Sequence, residues 1–117
     1  MTPDDIRDII NNSRVIEMDY RGTNPEAPDT YRLVHIMNFG RGQGPYDRDK
    51  WYFRFWHVNG QSNSMGIVRM VWRTGILDNV EGFTITGNKW RVAPQGFKPT
   101  TDAYINIDTI WQAQRNN

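Results

Sequence analysis

The chain contains no cysteine. That excludes disulfides, a thiolate nucleophile and any zinc site built on Cys ligands. Histidine occurs only at His35 and His57, and neither has a second ligand at metal spacing. Each therefore reads as a strand histidine satisfied within the fold, and no metal is expected. Neither HExxH nor GxSxG is present. Glu17 and Asp19 are paired carboxylates, but at i and i+2 on a strand they mark its wet face rather than an acid–base pair. No catalytic residue, enzymatic activity or cofactor is expected. No apolar run approaches the roughly 18 residues that span a bilayer, so no membrane partner is expected. The opening MTPDDIRDII is acidic and lacks the basic and apolar regions of a signal peptide. An intracellular, cytoplasmic protein is the expectation. Lysine is scarce too, since eleven of the fourteen Lys and Arg residues are Arg.

What is present points to strands. The 117 residues suit one domain, residues 1–117, with one modest core. Aromatic residues make up 13% of the chain, and large rings favour short strands over long helices. The net charge of +1 hides an uneven spread. Residues 1–29 carry three Arg against seven Asp and Glu, whereas residues 30–100 carry ten Lys and Arg against four. Arginine is planar, stacks on rings and grips phosphate or carboxylate bidentately. The basic middle is either a solvated surface or an anion-binding one.

Thr2, Pro3 and Asp5 carry the marks of a capped helix start, and Ile6, Ile9 and Ile10 share one face. The pattern predicts a helix over 3–12 and strands over 13–21 and 30–39. A third strand lies in DKWYFRFWHVNG at 49–60, and a fourth covers 65–73. The intervening segments GTNPEAPD and GRGQGPYDRD read as loops. The glycines of the second fit neither the P-loop nor the dinucleotide pattern. One or two short strands are expected in 74–86 and a turn at GNKW, 87–90. Ala103, Ile107, Ile110 and Trp111 fall at helical spacing after Thr101 and Asp102, while Ile105 and Ile107 also alternate. A short C-terminal helix is the expectation there. Residues 82–117 are the part least determined by pattern. The fold class is mainly β, a small curled antiparallel barrel with an N-terminal helix.

On the third strand, Trp51, Phe53, Phe55 and His57 point one way, and Tyr52, Arg54, Trp56 and Val58 the other. The first face is the expected core. The second is an aromatic–cation–aromatic row. It is either a second buried face, with Arg54 reaching out to water, or a surface that stacks on flat rings. Arg69 and Arg73 share one face of the fourth strand and can approach Arg54 if the third and fourth strands pair as a hairpin; such a cluster needs a bound anion or a carboxylate among its members, the latter from Glu17, Asp19 or Asp78.

Several residues line up further. Tyr20-Arg21-Gly22, Tyr31-Arg32, Gly40, Trp51-Tyr52-Phe53, Gly60 with Ser62 and Ser64, and Trp72-Arg73 before Leu77-Asp78 resemble the WYL domain. The resemblance covers about residues 4–81. It implies an Sm/SH3-like barrel that senses a nucleotide or nucleic acid through a cluster of Arg, Tyr and Ser. The matching positions are Tyr20, Arg32, Tyr52, Arg54, Ser62 and Arg73. Adding the residue-level readings of Trp56 and Arg69, the expected ligand is a nucleotide or single-stranded nucleic acid. The alternatives are a protein partner, with a phage-encoded interaction module as one form, or a homodimer that buries the same rings.

Overall fold

A computed structural model describes residues 1–21, 29–62, 66–68, 71–91 and 102–112, with the side chains at 59–62, 66–68 and 71 outside that description. The helix α1, Pro3–Asn11, starts at a capping box: Thr2 Oγ1 accepts from the Asp5 N–H at 3.1 Å and Asp5 Oδ2 accepts from the Thr2 N–H at 2.8 Å. These bonds satisfy donors that the first turn leaves without partners. Ile6, Ile9 and Ile10 are buried on its inner face, as their spacing predicts.

Among the described residues seven strands follow: β1 Arg14–Tyr20, β2 Asp29–Gly42, β3 Trp51–Ser62, β4 Gly66–Val68, β5 Val71–Ile76, β6 Val80–Lys89 and β7 Ile105–Ile110. A single 3-10 turn, Leu77–Asn79, joins β5 to β6. All pairings are antiparallel. β2 is the spine of the sheet. One flank pairs with β3 along most of its length, and the other pairs with β1 through its first half and β7 through its second. β6 lies outside β1, while β4 and β5 both lie outside β3. Among the described residues, the sheet does not close on itself. The mainly β expectation holds in this coarser form. No helix among the described residues is long and apolar enough to cross a membrane.

Register slips let β2 serve several partners. Between Ile16↔Val34 and Met18↔Tyr31, β2 carries an extra residue, and Leu33 takes up the slack at a φ of 53°. A second slip falls between Ile36 and Asn38 opposite β3. Bulges of this kind bend and twist a strand. The curled sheet and α1 enclose Ile16, Met18, Val34, Ile36, Phe39, Phe53 and Phe55. Burying each of these large side chains stabilises the fold by about 1.5–3 kcal/mol before entropy is charged against it.

Two expectations are corrected. The C-terminal segment is the strand β7, not a helix. The second half of β2 offers an open ladder, and Ile105 to Ile110 fill it with alternating burial. A short isolated helix has no comparable way to satisfy its backbone while burying a face. Arg7 ties α1 to this strand through a two-pronged contact with Asp108, Nε to Oδ1 at 2.9 Å and Nη2 to Oδ2 at 3.2 Å. The expected turn at GNKW is the end of β6, with Lys89 still paired to Arg14. The expected fourth strand is found in β4 and β5, whose pairs with β3 keep one register, Val68↔Gly60 and Val71↔His57, and pairing continues past residue 73 to Ile76.

Candidate functional site

The alternation of β3 places Tyr52, Arg54 and Trp56 on one face, and the ladder builds a rung around each. Tyr52 stands between Gly40 and Ile76, Arg54 between Asn38 and Thr74, and Trp56 between His35 and Trp72. The structure thus brings these three expected site residues together. It also gives each a neighbour that the sequence left unnamed.

Tyr52 is the innermost of three stacked tyrosines. It is only 8% exposed. Tyr46 lies over it at 4.6 Å between centroids, and Tyr104 lies over Tyr46 at 5.1 Å. The Tyr52 hydroxyl accepts the Asp47 N–H at 3.2 Å. The surface ring of this stack is Tyr104, at 41% exposure.

Arg54 is held by Asp102. Its Nη2 donates to Asp102 Oδ1 at 2.9 Å, Nε donates to Oδ2, and Nη1 donates to Thr74 Oγ1 at 2.7 Å. The Arg54 side chain is 30% exposed and that of Asp102 only 3%. Asp102 also accepts from Asn38 Nδ2 at 3.2 Å and from the N–H groups of Tyr104 and Ile105 at 2.9 and 3.2 Å. Burial alone would push the Asp102 carboxyl up. The bonds from Arg54, the Tyr104 backbone and Asn38 outweigh it, so its pKa lies below the ordinary carboxylate value. Arg54 is raised in turn, chiefly by its bond to Asp102. The partner of Arg54 is therefore Asp102, not Glu17, Asp19 or Asp78. Its guanidinium is fixed in place and its charge largely neutralised.

Trp56 meets Trp72 edge to face at 5.4 Å, and both are partly exposed. Together with Tyr104 they leave apolar ring surface on either side of the Arg54–Asp102 pair.

Of the other expected site residues, Arg73, Tyr20 and Arg32 lie elsewhere. Arg73 is the ladder partner of Phe55, so it faces away from Arg54, on the side of the buried Tyr31. Burial raises the Tyr31 phenol, Asp29 adds to the rise, and Arg73 opposes it. The approach of Arg73 to Arg54 expected from a hairpin is thus ruled out by register. Tyr20, at the end of β1, accepts the Ile76 N–H at 2.9 Å and Asn79 Nδ2 at 3.5 Å through its hydroxyl. It pins the end of β5 and the 3-10 turn to β1 and serves the fold. Arg32 is exposed on the far side of β2, beside a surface cavity of about 320 Å³ lined also by Glu17, Asp19, Thr30, Gly82 and Thr84. Ser62 pairs through its backbone with Gly66, and its side chain lies outside the described residues, as does all of Arg69.

Asp102, Tyr104 and Tyr46 escaped the sequence reading. Asp102 is 48 residues from Arg54 and lay in a segment read as a helix cap. The alternation of Ile105 and Ile107 was the available signal that this segment returns to the sheet. Nothing in the sequence marks Tyr46 as a stacking partner of Tyr52. No protein-family model matches the chain, and no curated protein or solved structure matches it.

Proposed function

We propose that the chain is a non-enzymatic binding module that takes a nucleotide or a short single strand on the Trp56 face of β3. The observation that carries this reading is the partly exposed Trp56–Trp72 pair beside a guanidinium already fixed by Asp102. Bases stack on exposed aromatic side chains with a gain of about 1–3 kcal/mol per base. A planar guanidinium held edge-on by a carboxylate still offers its face to a ring. Tyr104, resting on Tyr46 and with its ring 5.8 Å from the Arg54 guanidinium carbon, gives a second platform on the other side of the pair.

The charge pattern refines the proposal. Because Asp102 neutralises Arg54, phosphate contacts fall to exposed cations such as Arg48 and Lys50 in the loop that also carries Tyr46. Stacking then dominates, sequence preference is slight, and the dependence on salt is shallow. The WYL resemblance agrees with a ligand-sensing role, and a WYL-like, SH3-type barrel opened along one seam is the form of that fold proposed for this sheet. Tyr20 reaching across to β5 supports a barrel-like curl.

Fluorescence anisotropy with a labelled oligonucleotide and a nucleotide panel, in low salt, tests the proposal. Saturable binding that Trp56→Ala weakens supports it. Absence of binding by folded protein rejects it and leaves the same rings for a protein partner or a second copy of the chain.

A further inference from the structure

His35 is buried at 1% exposure. Trp90 lies parallel to its ring, with centroids 4.8 Å apart and planes 8° apart, and Trp111 meets it edge-on at 4.8 Å. Among the described residues, neither ring nitrogen of His35 has a hydrogen-bond partner, and Nε1 of Trp90 has none either. A buried imidazole with no acceptor nearby tolerates only its neutral form.

The two indoles come from the ends of different strands. Trp90 follows β6 and donates its backbone N–H to the Ser13 carbonyl at 2.9 Å. Trp111 follows β7, donates its backbone N–H to the Met37 carbonyl at 2.7 Å, and donates Nε1–H to Ser13 Oγ at 2.8 Å. Ser13, where the chain leaves α1, sits at a φ of 51°. His35, on the central strand, thus fills the space between two strand ends that converge on one residue. Both tryptophans lie beyond the last ladder pairs of their strands, Arg14↔Lys89 and Asn38↔Ile110.

We propose that this stack is an acid-operated latch: a proton on His35 drives its ring out from between Trp90 and Trp111 and releases the ends of β6 and β7, while the β2–β3 ladder stays formed. The groups around the ring favour this. Its ladder neighbour on β3 is Trp56, and the ends of β6 and β7 present indoles. The charged residues flanking these partners are Arg14, Arg54, Lys89 and Arg91, and Arg54 is held by Asp102. Asp8, on the last turn of α1, is engaged by Arg14 and Asn12. Burial is the one cause that moves the His35 pKa, from 6.5 to about 3. The closed state is therefore fully favoured above pH 6.5 and loses ground as the pH falls from there toward 3. Opening should rise by about 30-fold between pH 7.5 and pH 5.

Amide hydrogen exchange across that range, corrected for intrinsic rates, tests the latch. Protection around Trp90 and Trp111 should fall by about 30-fold at pH 5 while the β2–β3 ladder keeps its own. His35→Phe, which keeps a stacked ring and removes the proton site, should cancel the fall. It also separates His35 from His57, the other buried histidine. Unchanged protection at the strand ends, equal loss across the ladder, or the same pH dependence in His35→Phe would each overturn the proposal. If His35→Phe does not fold, the ring resonances of His35 in the native chain decide. A neutral ring through pH 5 in the closed state supports the latch, and a midpoint near the ordinary histidine value in that state overturns it.

Discussion

Phe53, Phe55 and His57 on β3 are shut away from water, whereas the residues that alternate with them, Tyr52, Arg54 and Trp56, grade from buried to open. Both faces are aromatic. What separates them is what covers them. The first is closed by α1, β1 and the rest of the core, and its partners are mostly aliphatic or aromatic, with Arg73 beside Phe55 as the charged exception. The second is covered piecemeal: Tyr52 by the loop that carries Tyr46, Arg54 by a carboxylate from the far end of the chain, and Trp56 only in part by Trp72. A period of two tells which residues share a face, but which face is wet depends on what the rest of the chain lays over it.

The sharpest break in the comparison comes from the closed face. Phe53→Ala should cost about 3–5 kcal/mol, measured by urea or thermal unfolding, since a fully buried ring leaves a cavity that its neighbours cannot fill. A Cβ on Gly75 would lie 2.5 Å from the Phe53 ring, so the packing there is tight on both sides. A melting temperature close to that of the parent would mean that the two faces have been assigned the wrong way round.

On the open face the largest effect should be at Asp102. Asp102→Ala removes the acceptor for Arg54, Asn38 and two backbone N–H groups. It should cost about 2 kcal/mol, below the value for a fully buried pair because Arg54 keeps some water. Replacing Arg54 as well should cost less than the two single changes added together, and a double-mutant cycle measures that coupling.

Acid should show the same difference. The Asp102 pKa is lowered in the folded state, so its contribution is present above the ordinary carboxylate value and is lost as the pH falls through the lowered one. Urea midpoints followed downward in pH should show this loss in the parent chain and not in Asp102→Asn. Loss of equal size in both would mean that the carboxylate does not hold the segment.

Much of this architecture is legible in the sequence. Thr2, Pro3 and Asp5 announce the helix through local chemistry alone. The alternation around Phe53 and Phe55 identifies the core face without any partner being known. The misreadings share one cause, which is long range. Residues 105–110 have no pattern strong enough to override helical spacing, and they become a strand only because the far half of β2 is unpaired. Arg73 moves to the opposite face because ladder register, invisible to composition, sets it against Phe55 rather than Arg54. The candidate site was half legible for the same reason. Its β3 residues were in view, while Asp102, Tyr104 and Tyr46 arrive through loops and a returning strand.

Smaller effects sharpen the contrast. Arg73→Ala should leave oligonucleotide affinity within about two-fold, because its side chain faces away from the proposed surface, and the salt dependence should not change. A marked loss of affinity with a shallower salt slope would place the phosphate contact on the core side of β3.

The central claim is that one face of β3 holds the fold and the other holds the ligand, and Trp56→Ala tests it most directly. Its unfolding free energy and its affinity for a labelled single-stranded oligonucleotide should be measured on the same preparation in low salt. The expected result is a stability change within about 1 kcal/mol together with roughly ten-fold or greater loss of affinity, the equivalent of one lost base stack. A folded variant that binds like the parent, or one that loses stability as Phe53→Ala does, would contradict it.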